Sequence, residues 1–329
     1  MKNNIDDVAR KAGVSTATVS RIVNNKTGYS ESTKRKVLQV IDELGYKPNA
    51  MARGLVRQKT NTIGILMPCL SSRFSFELLK GIEKVAHSKN YSVIICNTDR
   101  NGEQTLTYLQ TLSEKRVDGI IFISEWLKDE YGEFLEKLNI PVALVATYTD
   151  KFPFPYVRVD DRRAAYSAVS YLIRRGHKKI GMISGNPDDR IAGEPRIAGY
   201  RQALVDHGLP VQEEYISYGD FHFQSGISAM QDLYEKNLGI TAVFAASDEM
   251  AAGAVAYLHS KKIPLPEGMS IMGYDDTLDA EMTFPALTTV RQPIEKMGEW
   301  AMELLQNKDH KESIILQHSI AERDSVVDA

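Results

Sequence analysis

Three pairs of adjacent aspartates are the residues of this sequence with the clearest potential for chemistry, because general acid–base catalysis uses positioned carboxylates. The pairs are Asp160-Asp161, Asp188-Asp189 and Asp275-Asp276. Such pairs in loops usually cap turns or face solvent. Asp275 differs because it directly follows a predicted strand, 270–274, and is expected to point into a ligand cleft. A carboxylate that binds a ligand hydroxyl fits this position as well as a catalyst does.

The histidines and glycines do not form the patterns that catalytic or metal sites need. The seven histidines have no HxH or HExxH spacing, and the sequence contains no GxGxxG, GxxxxGK[ST] or GxSxG motif. Cys69 and Cys96 are too few for a disulfide framework and are typical of a reducing compartment. We therefore expect no catalytic centre, no metal and no cofactor, and we interpret the chain as a binding protein.

A second group of candidate residues lies between residues 5 and 24, where the pattern predicts two short helices. Gly13 can leave helical dihedral angles without a Cβ penalty, and Ser15 is a good N-cap for the second helix. The small side chains of Ala9 and Gly13 are expected to let the helices cross closely. The apolar face of the first helix is formed by Ile5, Val8, Ala9 and Ala12.

The second helix of this pair has one buried face and one free face. Its buried face is predicted at Val19, Ile22 and Val23. Thr16, Ala17, Ser20 and Arg21 lie on other faces and are free to contact a partner. Two helices joined by a short turn with glycine form the helix-turn-helix arrangement, so we favour DNA binding over a purely structural hairpin.

The charge distribution supports this interpretation. Residues 1–60 carry 12 Lys or Arg and 5 Asp or Glu, whereas the remainder carries 28 and 38, so the net charge of −3 hides a basic head on an acidic body. The chain of 329 residues is long enough for two or three domains. It begins MKNNIDDVAR, without a secretory apolar region, and its apolar runs are too short for a membrane helix. We expect a cytoplasmic protein.

A third helix and a basic linker follow the helix-turn-helix. Ser30 is expected to cap the third helix and Gly45 to end it. Pro48 then blocks its continuation, and a short segment of residues 50–58 follows. A helix of this length is unstable alone in water, so the segment is either a disordered linker or a helix that forms only when docked. Its Arg and Lys side chains make DNA phosphate a plausible partner, and a merely solvated linker is the alternative.

From residue 62 the sequence alternates predicted strands and helices, which indicates parallel sheets with covered faces. The pattern also repeats weakly, since residues 62–66 resemble 179–183 and residues 117–124 resemble 240–247. We therefore predict two successive α/β lobes with a ligand cleft between them, at the carboxyl ends of the strands. The predicted strands are 62–67, 91–96, 119–123, 142–146, 157–159, 179–184, 215–218, 242–246 and 270–274. The predicted helices are 76–87, 105–114, 130–138, 164–174, 196–207, 225–234, 250–259 and 294–305.

These features together resemble the lac repressor/galactose repressor family of bacterial transcription regulators, over essentially the whole chain. The segments that carry the resemblance are IDDVARKAGVSTATVSRIVNN, GYKPNAMARGLVRQKT, GHKKIG at 176–181, RIAGYR at 196–201, SDEMA at 247–251, MGYDD at 272–276 and LTTVRQP at 287–293. The resemblance implies an N-terminal all-α helix-turn-helix headpiece and an α/β, periplasmic-binding-protein-like core of two doubly wound parallel-sheet lobes. It also implies a homodimer that binds near-palindromic double-stranded operator DNA and responds to a small effector, usually a sugar or a nucleobase-like molecule.

The resemblance assigns roles to two sets of residues. Arg21 would contact guanine in the major groove, Ala17 would make an apolar base contact, and Leu55, on a hinge helix, would wedge into the minor groove at the operator centre. The DNA-binding residues implied are Ser15, Thr16, Ala17, Ser20, Arg21, Asn24, Arg53 and Leu55. The effector-binding residues implied are Phe74, Arg196, Phe221, Ser247 and Asp275. Arg73 stands in the loop after the first strand, where it hints at an anionic ligand or is simply solvated.

The domain ranges follow from the same comparison. Residues 1–46 form the headpiece and 47–60 the hinge; the first lobe combines 61–160 with 292–318, and the second combines 161–291 with 319–329. Residues 287–293 are expected to cross between the lobes. The chain has no leucine heptad extension, which favours a dimer. Two alternatives remain: the signal is a phosphorylated carrier protein on the same fold, or the chain is a solute-binding protein or enzyme with a vestigial headpiece.

Overall fold

A computed structural model of the chain describes residues 3–24, 26–46, 59–99, 102–306 and 312–329. The chain divides into two compact units, residues 1–60 and residues 61–329. Residues 47–58 of the expected hinge lie outside the described residues, and with them Arg53 and Leu55. No helix among the described residues is long and apolar enough to cross a membrane.

Among residues 3–24 and 26–46, the described part of the first unit forms three helices, α1 (Ile5–Ala12), α2 (Thr16–Val23) and α3 (Glu31–Leu44). Asn4 caps α1, and the Asp7 side chain accepts a hydrogen bond from the Asn4 backbone in return. This reciprocal pair satisfies amides that helix formation leaves without partners. The helices enclose a small apolar core of Val8, Ala9, Ala12, Val19, Ile22, Val37 and Val40.

Gly13 ends α1 for a backbone reason rather than a packing reason. Its φ is 64°, in the left-handed region that side chains with a Cβ rarely adopt. A Cβ built at Gly13 meets only Lys36 Nζ, at an ordinary 3.7 Å. The expectation that Gly13 is small so that the helices can cross closely is therefore wrong: the backbone turn, and not space, selects glycine here.

The second unit is built on twelve described strands arranged in two six-stranded sheets. The strands are β1 (Thr62–Met67), β2 (Ser92–Asn97), β3 (Gly119–Ile123), β4 (Val142–Val145), β5 (Tyr156–Val159), β6 (Ile180–Ser184), β7 (Ile216–Tyr218), β8 (Ala242–Ala245), β9 (Ser270–Asp275), β10 (Thr288–Arg291), β11 (Ile314–Leu316) and β12 (Ser319–Ala321). The sheet orders are β11-β5-β4-β3-β1-β2 and β12-β10-β9-β8-β6-β7. In each sheet the second strand in chain order lies on one side of the first strand, β1 or β6, and the later strands lie on its other side. This reversal of direction is the doubly wound arrangement.

Helices cover these sheets, as expected for parallel strands that are buried on both faces. The helices are α4 (Arg73–Ser88), α5 (Thr105–Glu114), α6 (Asp129–Leu138), α7 (Asp161–Arg174), α8 (Gly193–Asp206), α9 (Phe223–Glu235), α10 (Asp248–Ser260), α11 (Leu278–Met282) and α12 (Ile294–Gln306), and a 3₁₀ turn lies at Glu213–Tyr215. Helices α4 and α12 pack together on the first sheet, and α9 and α10 pack together on the second. We call the first sheet with its helices the first lobe and the second sheet with its helices the second lobe. The predicted fold class is confirmed.

The sequence pattern did not predict β10, which was expected to be part of a crossing segment. Strand β10 lies between β9 and β12 in the second sheet, and its pairing with β12 is antiparallel. Thr288 and Thr289 are buried in this strand because their hydroxyls donate to Arg323 O at 3.0 Å and Asp248 Oδ1 at 2.6 Å. The strand is polar in sequence, yet its hydroxyls are satisfied, so it can be a buried strand without an apolar run.

Four helix starts also differ from prediction in a way that matters for the site, and one of them is the start of α7 at Asp161 instead of residue 164. Helix α4 begins at Arg73, capped by Ser72, so Arg73 and Phe74 lie in its first turn rather than in a loop. Helix α8 begins at Gly193, which places Arg196 inside its first turn. Helix α10 begins at Asp248, with Ser247 as its cap. Each of these helix starts places a side chain near the carboxyl ends of the strands of its own lobe.

Candidate functional site

A cavity of about 550 Å³ lies between the two lobes, at the carboxyl ends of the strands. This is the size range of small-molecule sites. All five predicted effector residues line it: Phe74, Arg196, Phe221, Ser247 and Asp275. Phe74 comes from the first lobe, and the other four come from the second lobe.

The wall of the cavity on the second lobe is organised by a buried ion pair between Arg196 and Asp161. Arg196 Nη2 lies 2.8 Å from Asp161 Oδ1, and Nε donates to the same oxygen at 2.9 Å. The hydroxyl of Tyr274 also donates to that oxygen, at 2.9 Å. Burial opposes the charge of Arg196, yet the adjacent Asp161 carboxylate holds the pKa of Arg196 above its ordinary value. The guanidinium is therefore a fixed cation at the cavity wall.

Arg196 is also fixed in orientation, which leaves only part of it for a ligand. Its Nη1 donates to Ala246 O at 2.5 Å, and its plane stacks on Tyr274, with 3.8 Å from Cζ to the ring centroid. A guanidinium has five N–H groups. The contacts with Asp161 and Ala246 account for three of them, so two remain to donate to a molecule in the cavity.

Asp275 is the acidic group of the site whose charge is most affected by its surroundings. It is 7% exposed and accepts a hydrogen bond from Gln292 Nε2 at 2.8 Å. Burial raises the pKa of Asp275 to about 7, although Arg196 opposes the shift. The pKa of the neighbouring Asp248 is also raised, by burial and by Asp275. Asp275 can therefore act as a hydrogen-bond donor or an acceptor near neutral pH.

Ser247 connects helix α10 to the aromatic residue of the site. Its Oγ accepts a hydrogen bond from Met250 N at 3.1 Å, which caps the helix, and donates to Phe221 O at 3.1 Å. The hydroxyl proton is therefore engaged within the protein. One acceptor lone pair remains, so Ser247 is suited to accept a hydrogen bond from a ligand but not to donate one.

Phe221 is seated in the cavity by a strained backbone and by a glycine. Its φ is 69°, in the left-handed region. A Cβ at Gly185 would lie 2.1 Å from the Phe221 Cζ atom, so the ring occupies the space that any side chain at position 185 would need. The centroid of the Phe221 ring lies 5.7 Å from Arg196 Cζ. Gly185 thus determines where the aromatic face of the site lies.

Several contacts join the lobes around this cavity, and two of them involve arginine side chains. Arg73 Nε of the first lobe donates to Asp279 Oδ1 of the second lobe at 3.3 Å. Arg190 of the second lobe lies over the ring of Trp126 in the first lobe, 5.2 Å from its centroid. Arg73 is paired with Asp279, and its side chain remains 46% exposed, so it is partly solvated as well as paired.

Several lining residues were not predicted from the sequence to bind a ligand, and one of them, Asp161, was expected only to cap a turn or face solvent. Asp161, Glu125, Trp126 and Gln292 all line the cavity. Each follows closely on the carboxyl end of a strand, which is the same signal that identified Asp275. Applied to every predicted strand, that rule would have found the first three; Gln292 follows β10, which was not predicted. No group of three or more His, Cys, Asp or Glu side chains in the described part of the chain is arranged to hold a metal ion.

The described DNA-binding candidates lie on or beside α2. Thr16, Ala17 and Arg21 are exposed, which leaves them available to a partner. Ser15 caps α2 through Thr18 N, at 3.2 Å. Asn24 donates to Ser20 O at 2.8 Å, so its amide is engaged at the end of the same helix. Thr16, Ala17 and Arg21 are therefore the exposed side chains within α2, whereas Ser15 and Asn24 cap its two ends.

Two family descriptions match the chain. Residues 4–49 match "Bacterial regulatory proteins, lacI family". Residues 60–324 match "Periplasmic binding proteins and sugar binding domain of LacI family". The two matches correspond to the helical unit and the two-lobed unit.

Individual proteins give the same result. Catabolite control protein A of Priestia megaterium is 41% identical over 330 residues, covering 99% of each chain. A lac repressor dimer bound to operator and the anti-inducer ONPF aligns with a TM-score of 0.88 at 26% identity, covering 99% of this chain and 100% of the other. A transcriptional regulator CelR–cellobiose complex aligns with a TM-score of 0.74 at 29% identity, covering 98% and 100%. The relatives are named as regulators and not as enzymes.

Proposed function

This chain belongs to the LacI family of bacterial DNA-binding transcriptional regulators, and we propose that it is a homodimeric repressor whose operator affinity is set by a sugar held in the cavity between its lobes. The observation that carries the proposal is the buried Arg196–Asp161 pair with Asp275 beside it, because it presents fixed donors and acceptors to one small volume. The direction of control, induction or corepression, is left to experiment.

The charge of the cavity favours a neutral polyhydroxylated ligand over an anionic one. Among the described lining residues, carboxylates outnumber basic side chains, eight to five. Three of the five basic side chains also have partners within the protein: Arg73 pairs with Asp279, Arg196 pairs with Asp161, and Arg190 lies over the Trp126 ring. The acidic set is Glu125, Asp161, Asp188, Asp189, Asp220, Glu249, Asp275 and Asp279, and the basic set is Arg73, Lys128, Arg190, Arg196 and His222. Carboxylates pair well with sugar hydroxyls and repel a phosphate.

The aromatic residues of the cavity support the same class of ligand. Phe221 and Phe74 contribute rings from opposite lobes, and Trp126 contributes a third at the rim. A pyranose has an apolar face that packs on an aromatic ring while its hydroxyls point to polar groups at the sides. Rings on both lobes would let one ligand contact both lobes at once.

The proposed DNA contacts are the free side chains of α2. Arg21 is placed to make a bidentate contact to guanine, and Ala17 an apolar contact to a thymine methyl. Thr16 adds a polar contact. Ser15, Ser20 and Asn24 would contribute near the DNA backbone. Arg53 and Leu55 keep their expected phosphate and minor-groove roles as proposals.

An exposed apolar patch on the second lobe supports the homodimer. Leu278, Met282 and Phe284 are 46%, 69% and 84% exposed, within seven residues of sequence. Exposed apolar groups that cluster in this way mark interaction sites more often than scattered single residues do. A second copy of this chain is the proposed occupant, consistent with the lac repressor structure being a dimer on its operator.

Ligand control follows from the position of the cavity between the lobes. A ligand shifts an equilibrium only by its differential affinity for two states. A sugar that contacts Phe74 on one lobe and Phe221 on the other binds the closed arrangement more tightly than an open one. The proposed coupling is therefore between lobe closure and the spacing of the two headpieces in the dimer.

Isothermal titration calorimetry on the full chain tests the proposed ligand class. The ligands are cellobiose, glucose and glucose 6-phosphate, each titrated into the wild type and into Asp275→Asn. We expect heat from a neutral sugar, no heat from the phosphate, and weaker sugar binding in the variant. Binding of the sugar phosphate alone, or sugar binding that Asp275→Asn leaves unchanged, would contradict the proposal.

A further inference from the structure

Three side chains from the two lobes form a connected chain in the cavity wall, and the contacts that they make with one another are not needed for binding a sugar or DNA. Cys69 follows β1 in the first lobe, and its Sγ lies 3.8 Å from His222 Nε2 of the second lobe. His222 Nδ1 in turn lies 3.1 Å from Glu249 Oε1. All three residues line the cavity. A nucleophile, a base and a group that orients the base are the parts of an activated thiol.

The arrangement fixes the role of each nitrogen of the imidazole. A carboxylate accepts hydrogen bonds, so the tautomer of neutral His222 that fits both contacts has its proton on Nδ1, facing Glu249, and its lone pair on Nε2, facing the thiol. Glu249 Oε1 also accepts from Phe223 N at 3.2 Å, which holds the carboxylate in place. The Cys69 Sγ has a further neighbour, Ser71 Oγ, at 3.3 Å. The thiol is half-buried and opens onto the cavity, so a small molecule can reach it.

We propose that Cys69 is a nucleophilic thiol that adds to small α,β-unsaturated carbonyl compounds entering the cavity, with His222 as its base and Glu249 as a positioning residue for the imidazole. In the addition, His222 Nε2 takes the thiol proton, and Sγ forms a bond to the β-carbon. The electron pair of the carbon–carbon double bond moves to the enolate, which takes the proton back from the imidazolium at the α-carbon. The product is a thioether, and the step consumes no oxidant or reductant.

The second cysteine of the chain is an internal control. Cys96 lies on β2 and is 5% exposed. Burial raises the pKa of the Cys96 thiol, which lowers the fraction of thiolate, the form that reacts. Both thiols are in the same molecule, so the rate at Cys69 can be expressed relative to Cys96, and a general loss of folding would affect both.

Labelling with acrylamide tests the proposal on the full chain. The extent of labelling at each cysteine is followed by mass spectrometry of the two peptides. We expect Cys69 to react at least tenfold faster than Cys96 in the wild type. We expect His222→Gln to slow Cys69 about tenfold without changing Cys96, and His259→Gln, at an exposed histidine of α10, to change neither.

Glu249 is tested by a pair of variants in the same assay. Glu249→Gln removes the carboxylate and should slow the labelling of Cys69 severalfold. Glu249→Asp keeps a carboxylate and should retain part of the wild-type rate. If Glu249 had only a structural role, the two variants would label Cys69 at the same rate. If His222→Gln accelerates Cys96, the fold has loosened, and the Glu249 pair then decides. An unchanged Cys69 rate in His222→Gln with Cys96 unaffected, or equal Cys69 rates in the two Glu249 variants, overturns the proposal. The readout is independent of sugar or DNA binding.

Discussion

Arg196 and Asp161 lie in the first turns of neighbouring helices of the second lobe and form an ion pair that solvent barely reaches, with Nη2 2.8 Å from Oδ1. Asp161 begins the helix that follows β5, the strand of the first lobe at which the chain passes to the second lobe. The pair therefore connects the cavity wall to the segment that joins the lobes. Because both groups are buried, neither can be lost without leaving the other uncompensated.

The stability of the fold should depend strongly on this pair. Arg196→Met leaves Asp161 buried with the Tyr274 hydroxyl as its main partner, and we expect a loss of about 3–5 kcal/mol in the free energy of unfolding. The matched control is Arg201→Met on the same helix, where the pair with Glu213 is exposed and should contribute about 0–1 kcal/mol. Urea denaturation of both variants measures the two values. Equal losses in the two variants would show that removing Arg196 does not leave a buried, uncompensated carboxylate at Asp161.

Stability should also depend on pH through Asp275. Its pKa is about 7 in the folded protein because of burial, above the ordinary value of 3.8, so the folded state holds a proton that the unfolded state has released. Stability contributed by this group is therefore greatest below about pH 4 and falls as pH rises towards 7. Asp275→Asn removes the titration. The stability of the variant relative to wild type should rise between pH 4 and 7, measured by thermal unfolding, and a constant difference over that range would exclude the shift.

Gly185 should be required for the aromatic face of the site. A Cβ at this position would lie 2.1 Å from the Phe221 ring, so Gly185→Ala must displace the ring. We expect sugar affinity, measured by calorimetry, to fall about tenfold. The control is the double variant with Phe221→Ala: once the ring is gone, Gly185→Ala should have almost no further effect. If the losses of sugar affinity from the two substitutions add in the double variant, Gly185→Ala does not act through the Phe221 ring.

Sequence-specific DNA binding should depend on Arg21. Removing a bidentate contact to guanine costs about 1–3 kcal/mol of discrimination, so Arg21→Ala should lose specific affinity while keeping most of the salt-dependent binding. The control is Arg10→Ala, which removes the same charge from an exposed side chain of α1. Fluorescence anisotropy with selected and scrambled duplexes, at several salt concentrations, separates the two effects. A uniform loss on both duplexes would assign Arg21 to phosphate rather than to a base.

The sequence predicted the fold well where each element has a strong local pattern. The helix-turn-helix, the alternating strands and helices, and the position of Asp275 all follow from short stretches of apolar periodicity and from the place where a strand ends. Strand β10 was missed because Thr288 and Thr289 are polar in sequence, and their burial depends on partners about 35 and 40 residues away. Local pattern contains no information about such partners.

The candidate site was predictable for the same reason and only to the same extent. Asp275 was predicted because it follows the end of a strand, and Arg196 was predicted because it lies in the family-like segment RIAGYR. The partnership of Arg196 with Asp161, and the meeting of Cys69 with His222, join residues 35 and 153 positions apart. Such pairs arise only when two lobes and several helices are in place, so a sequence supplies the side chains but not their pairing.

If a sugar in the cavity controls DNA binding, the affinity of the protein for its operator must change when the sugar is bound. A duplex selected from a random library by the full chain serves as the operator, and its Kd is measured by fluorescence anisotropy with and without a saturating sugar that calorimetry has established as a ligand. We expect the sugar to change the operator Kd at least fivefold. We also expect Arg196→Lys, which keeps the charge but loses the planar fork, to weaken both sugar binding and this change while sparing sugar-free DNA binding. An operator Kd that saturating sugar leaves unchanged in the wild type would contradict control of DNA binding by a sugar.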